Sequence, residues 1–543
     1  MSEAKFVQGS IMRHILVMSS TAAIGISALF VVDLLDIFFL SLLGEQELAA
    51  AVGYAGSISF FTTSIGIGLS IALGALVSRA IGAREVEKAR RLLLNSAVVT
   101  LIVSCVVSAC VTFFIPELVA LVGANGHTAE LAASYLYILV PSLPFICLAM
   151  ALGGALRAVG DAKLSMMSTL AGGAVNAVFD PIFIFLLAMG IEGAAAASVL
   201  ARLAVLIIAG RGVIVKHKLF GRFNAEHFLA DLKPIFAIAG PAMLTNVATP
   251  IGNAVVTRAI ADFGDAYVAG WAVLGRLIPV TFGMIFALSG AIGPIVGQNF
   301  GARAFDRVTE SLTKAIQFCS VYVVGMSLLL FIVKDLLISA FAMQGDSAEL
   351  IRFFCTYIAV FFVFSGILFV ANASFNNLGK AKYSTVFNVG KATIGTIPFV
   401  YFGAQWGGVY GVLIGQVLGS VIFGVAGVLM AYRLVDKVRV AELTRVSVSA
   451  ESSTRATMPV GQEQQLSAAV SASRDSDHRS ASEKDPLGDF DELSPTNTNP
   501  LSSAYVQMAQ LNEQQDCEAS NKVAEPLLPK DFLLADEQEK RGS

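Results

Sequence analysis

Twelve apolar stretches, each long enough to cross a bilayer, govern what this chain can fold into. They fall near 14–42, 49–78, 93–115, 130–157, 163–188, 191–214, 233–262, 266–298, 311–333, 348–376, 382–403 and 407–432. A bilayer core about 30 Å thick is crossed by about 20 apolar residues in a helix. The expected fold is therefore an all-α polytopic membrane protein with twelve transmembrane helices.

Composition agrees: of 543 residues, 55% are hydrophobic and 14% charged, and the mean hydropathy is +0.72. The net charge of -3 carries little information, because basic residues gather in alternate loops. Arg79, Arg84, Lys88, Arg90 and Arg91 follow the second span, and Arg211, Lys216, Lys218 and Arg222 follow the sixth. The intervening loops carry Glu45, Glu47, Glu117, Glu130, Glu192, Asp262 and Asp265, with Lys334 the clear exception. The positive-inside rule then puts both termini in the cytoplasm of a cell bounded by a plasma or inner membrane. No basic surface suggests nucleic acid. Six cysteines form no Cys-x-x-Cys pair, which argues against a disulfide framework or structural zinc. No cofactor is expected.

The chain repeats itself. Gly82-Ala83-Arg84 returns as Gly301-Ala302-Arg303, and Gly160-Asp161-Ala162-Lys163 as Gly379-Lys380-Ala381-Lys382. Both pairs are 219 residues apart (301 less 82, and 379 less 160). Two separated matches at one offset imply two six-helix bundles of like orientation, related by a pseudo-two-fold axis along the membrane normal. The domain reading is a cytoplasmic N-terminus (1–13), an N-terminal lobe (14–214), a cytoplasmic linker (215–232), a C-terminal lobe (233–432) and a disordered cytoplasmic tail (433–543).

Polar residues inside the spans are sparse enough to weigh singly. Asn176 and Asp180 lie four residues apart, on one face of the fifth helix. A carboxylate there costs about 2.5 to 3.5 kcal/mol on the lenient insertion scale. Pro181 has no N–H for the carbonyl of Ala177, so one wall offers a carboxylate, an amide oxygen and a potentially free carbonyl. Such a group could hold a proton or Na⁺. Asp33 and Asp36 share a face of the first helix. At 1.5 Å per residue, Asp36 lies about 12 Å below the boundary near Gly44, Ser198 about 9 Å below Glu192, and Asp180 no more than about 18 Å deep. These depths allow one shared site.

The repeat is chemically lopsided. Shifting 36, 176 and 180 by 219 gives Val255, Gly395 and Phe399, so the acid and amide have no counterpart in the second half. That half carries Arg276 and Lys391 inside its spans instead, and Arg202 lies one turn beyond Ser198. All three are candidate counter-ions rather than substrate contacts. Asn176 and Ser198 taken singly read as helix packing, and Gly82, Gly160, Gly301 and Gly379 read as turn residues ending helices.

Taken together, the chain resembles the multidrug and toxic compound extrusion (MATE) family, within it the DinF-like branch. The resemblance runs from Phe6 to Tyr432. It rests on Asp33 and Asp36 followed by Phe39 to Gly44, on the paired Gly-Ala-Arg turns, on Leu156 to Lys163, and on Asn176 with Asp180. Gly193 to Ser198, Gly240-Pro241 and Gly293 to Asn299 complete the set. It implies a secondary active antiporter, not an enzyme, that exports organic and often cationic compounds against H⁺ or Na⁺, working as a monomer by alternating access. It also implies an ion site at Asp36, Asn176, Asp180 and Ser198, where Na⁺ would bind, with Tyr135 associated. Asp33 stands where the family often has Asn, and Ala22 where it has a proline. The second-half carboxylates of the NorM-like branch are missing from Gly240 to Ile260 and Phe353 to Ala371. The rival readings are a lipid-linked oligosaccharide flippase of the same superfamily and, in a different class, an intramembrane aspartyl protease. The latter usually shows Gly-x-Gly-Asp, whereas Val178-Phe179 precede Asp180.

Overall fold

The computed structural model describes residues 4–41, 43, 46–221, 223–341 and 343–457; the side chains of 33, 34, 36–38, 41, 46, 49, 443 and 445–457 lie outside that description. Among the described residues, sixteen α-helices follow in chain order. They are α1 (Ile11–Ser41), α2 (Gln46–Gly82), α3 (Val86–Phe113), α4 (Ile115–Leu121), α5 (Gly126–Leu139), α6 (Leu143–Ala158), α7 (Ala162–Pro181) and α8 (Gly190–Arg211) in the first half. The second half holds α9 (Ala225–Ala261), α10 (Asp265–Thr281), α11 (Gly283–Gly301), α12 (Phe305–Ala340), α13 (Gly345–Phe353), α14 (Phe362–Asn377), α15 (Lys382–Ala392) and α16 (Ile397–Thr457). No strand occurs among the described residues. Met1–Val440 form one compact unit, and of the second, Ala441–Ser543, only the helical stretch to Thr457 is described.

Eleven described helical runs are long and apolar enough to span a membrane. The last, Lys382–Glu442, holds two passes. Gly408, at φ 57° and ψ -143°, breaks α16, and the backbone of Gly403 then meets Gly411, that of Phe399 meets Gly415, and that of Gly395 meets Gly419. Those pairings are an antiparallel hairpin in which small residues let two backbones touch. The result is twelve passes in two six-helix bundles. Several spans are not single α-helices: 130–157 divides into α5 and α6, 348–376 into α13 and α14, and 382–403 after Ala392, while in 266–298 Phe282 (φ -104°, ψ 17°) separates α10 from α11. Pro279 withholds an amide from the last turn of α10, and the buried Phe282 ring stacks on Phe362 at 4.4 Å.

The two bundles interlock in a symmetric way. α1 packs along α7 in its own half and α11 in the other, and its repeat partner α9 packs along α15 and α2. At the end carrying the basic loops, Ser78 Oγ donates to Asn377 Oδ1 (3.3 Å) and Gln298 Nε2 to the Ala158 carbonyl (2.7 Å). The segment before α1 is drawn into this seam. Phe6 is 3% exposed; its N–H donates to Gln298 Oε1 at 2.9 Å, and its carbonyl accepts from Asn299 Nδ2 and Arg307 Nη2. Nearby, Arg91 of α3 grips Asp231 of α9 through Nε and Nη2 (3.1 and 3.2 Å), and Asn95 Nδ2 donates to the same carboxylate at 2.8 Å.

Candidate functional site

The site is built on α7. Asp161 caps its first turn, accepting from the Leu164 N–H at 3.2 Å, and is itself held by Lys216 Nζ (2.6 Å) and His217 Nε2 (2.8 Å) at the end of the π turn Gly212–Lys216 that follows α8. Burial alone would raise this carboxyl's pKa, but those hydrogen bonds and the Lys216 charge hold it below the usual carboxylate range. Further along, α7 has no side chain at Gly172 and Gly173. A Cβ on the first would run into Val205 and the Ala201 carbonyl of α8; one on the second would meet Val32 of α1 at 3.0 Å. Small residues therefore bring α1 and α8 against α7 one turn before Asn176.

There the polar group assembles. Asn176 is 1% exposed and Asp180 0%. The Asn176 amide nitrogen lies 3.5 Å from Asp180 Oδ1 and 3.4 Å from Ser198 Oγ on α8, so the amide bridges the acid and the hydroxyl. The four-residue spacing read from the sequence does put Asn176 and Asp180 on one face, and Ser198 joins them from the neighbouring helix. The helix then changes character: α7 ends at Pro181 and a π turn runs over Ile182–Leu186, a local widening that follows from the missing proline amide. Tyr135 is buried on α5, which packs on α8. The backbones of Asp33 and Asp36 are helical in α1, the helix that packs along α7, while their side chains lie outside the described residues.

The intramembrane cations are placed apart from this group. Arg202 donates through Nη1 to the Leu139 carbonyl (3.0 Å) and to Ser142 Oγ (2.8 Å), and no ion pair to a carboxylate is found for it among the described residues. It braces the turn Val140–Ser142 between α5 and α6, whose Pro141 has no amide to donate. Arg276 is exposed on α10 with no side-chain hydrogen bond among the described residues. Lys391 reaches Ser365 Oγ at 2.9 Å. The second bundle also has a polar seam that the sequence reading passed over: Thr245 of α9 lies 3.3 Å from Ser384 Oγ and 3.4 Å from Thr385 Oγ1 of α15. Its trace in the sequence is Ser384, Asn388 and Lys391 at helical spacing.

Comparison with known proteins agrees with this architecture. The MatE family profile matches the chain twice, over residues 22–182 and 241–402, so the two matches begin 219 residues apart (241 less 22), the offset of the internal repeat. The FAD transporter of Shewanella oneidensis is 27% identical over 433 residues, covering 79% of this chain and 96% of that protein. The multidrug export protein MepA of Staphylococcus aureus is 23% identical over 443 residues, covering 80% and 96%. Among solved structures, a MOP superfamily transporter from Pyrococcus furiosus (TM-score 0.74, 23% identity, 80% of this chain and 98% of that one) and a Vibrio cholerae MATE transporter (0.74, 24%, 79% and 97%) share the fold. With the family matched over both halves, this chain belongs to the MATE family: it is an integral multi-pass membrane transporter and not an enzyme.

Proposed function

We propose that this transporter is a secondary active efflux antiporter of the DinF-like type, moving small organic compounds out while H⁺ or Na⁺ runs in. The observation that carries the proposal is the buried Asp180, bridged through Asn176 to Ser198 beside a broken helix. A carboxylate withdrawn from water in this way changes its energy sharply when an ion is gained or lost there. Asp36 on α1 supplies the second acid. With the site open outward, a proton or Na⁺ neutralises the acids, α1 and α7 repack, and the halves 14–214 and 233–432, joined through 215–232, rock to expel substrate. Both termini lie in the cytoplasm, the basic seam at Gln298 closes the inner side, and one chain suffices. Relatives named for FAD and for multidrug export bracket the substrates to be tried.

The test is export from proteoliposomes under an imposed pH or sodium gradient. Asp180→Asn and Asp36→Asn should each lower gradient-driven export at least tenfold, while substrate still binds. Undiminished export by both variants would dismiss the coupling site.

A further inference from the structure

The fifth pass of each half is interrupted, and a single charge sits beside each interruption. In the first half Asp180 precedes Pro181 and the π turn. In the second, α15 stops at Ala392, Thr393 leaves helical geometry at φ -102° and ψ -83°, and α16 resumes at Ile397. Lys391 stands immediately before that break. Under the 219-residue offset the second break falls about two turns earlier in its pass than the first, yet both interrupt the fifth pass of a repeat, and interrupted helices in paired passes are where transporters build substrate and ion sites. Here the two interruptions stand beside charges of opposite sign.

Lys391 faces the protein interior. Val386 and Val389, 63% and 39% exposed, mark the outer face of α15, and at 3.6 residues per turn Lys391 is rotated at least about 140° from both. Among the described residues, its amino group donates to a hydroxyl, Ser365 Oγ of α14. No carboxylate pairs with it among the described residues, and the positions matching Asn176 and Asp180 are Gly395 and Phe399. On α14, Asn372 and Asn376 follow Ser365 by seven and eleven residues, within about 20° of the same line. Both are buried, at 6% and 5% exposure, yet their carboxamide oxygens have no hydrogen-bond partner among the described residues. Buried acceptors without donors are uncommon enough to call for an occupant.

We propose that this stripe of the second bundle is an anion subsite of the substrate path. Lys391 pairs with an acidic oxygen of the substrate, a phosphate or carboxylate, and the Asn372 and Asn376 oxygens accept from hydroxyl or amide donors of the same molecule. The substrate class is thus an organic acid bearing hydroxyls, such as a nucleotide. Ion coupling is left to the acidic half. The inference rests on the transport reading above and extends it to substrate choice.

FAD and riboflavin share a flavin ring and a hydroxylated chain, and FAD adds a pyrophosphate and an adenosine, so the Lys391 variants and competition by pyrophosphate separate the charge from the adenosine. In proteoliposomes, Lys391→Gln should lower the ratio of FAD to riboflavin export about tenfold or more, the loss expected for one charge-assisted hydrogen bond, and Lys391→Arg should restore it. Independently of any variant, quenching of flavin fluorescence on the purified full-length protein should show inorganic pyrophosphate displacing FAD and not riboflavin. If Lys391→Gln shifts both flavins alike, or pyrophosphate displaces neither, Lys391 is a hydrated structural lysine and the subsite is refuted. Gradient-driven export of a cationic dye without FAD binding would refute the subsite and leave the antiporter standing. FAD binding sensitive to pyrophosphate, with no gradient-driven export of any compound, would do the reverse.

Discussion

Gly82 of α2 lies so close over the backbone of Gln298 on α11 that a Cβ there would overlap the Gln298 carbonyl. The relationship is mirrored 219 residues on. Gly301 lies over the Arg79 carbonyl in the same manner, and Arg79 and Gln298 are themselves repeat partners. The two halves therefore cross at one symmetric point at the basic end. The left-handed turn position that a helix-ending glycine would normally take is filled two residues later by Arg84 (φ 61°) and Arg303 (φ 57°). Gly82 and Gly301 are there for contact, whereas Gly160 (φ 78°) and Gly379 (φ 75°) do serve the turn.

This crossing predicts that Gly82→Val is far worse than a typical membrane substitution. Overpacking costs about 1–3 kcal/mol where side chains can yield, and here the obstacle is backbone. The detergent-solubilised variant should melt several degrees below wild type, with Gly301→Val matching it. An unchanged melting temperature would mean that the crossing is not maintained in the native protein.

The Arg91–Asp231 pair makes a second prediction. Asp231 is 5% exposed, so Arg91→Ala strands a buried carboxylate with Asn95 as its remaining side-chain donor among the described residues. Removing one partner of a buried pair costs about 3–5 kcal/mol, and partial exposure of Arg91 brings the expectation to the lower end. Asp231→Asn in the same background should recover most of the loss. A thermal double-mutant cycle showing no coupling would contradict this.

Asp161 should leave a signature in the acid limb. Its pKa is depressed in the folded state, so the stability it adds is present above the unfolded value near 3.9 and vanishes as pH falls through the lower folded value. Asp161→Asn should thus lower the melting temperature at pH 7, with the difference from wild type shrinking below about pH 4. A difference constant from pH 7 to pH 3 would exclude this account.

The segment ahead of α1 should act as a clasp on the basic seam. Arg307 Nη2 donates to both the Phe6 and Gly9 carbonyls, each at 3.0 Å, and the Phe6 ring packs edge-on against His14. Arg307→Ala should free this segment, so that a cysteine placed at Ser78, 0% exposed in the seam, reacts with a polar thiol reagent several-fold faster. Equal labelling rates would show that the seam holds without the clasp.

Much of this protein is written in short-range pattern. Span count, repeat offset and the Asn176–Asp180 face depend on helical period and on the cost of polarity in lipid, which are properties of single segments, and the chain discloses them unaided. What only the tertiary structure decided is which surfaces meet. Arg202, one turn from Ser198, turns to the Leu139 carbonyl and Ser142; the span through Phe282 breaks; Phe6 is pulled between the halves; and Gly82 and Gly301 serve contacts rather than turns. Each outcome depends on groups brought together from distant parts of the chain, where close packing and the demand for a hydrogen-bond partner override what neighbours in sequence suggest.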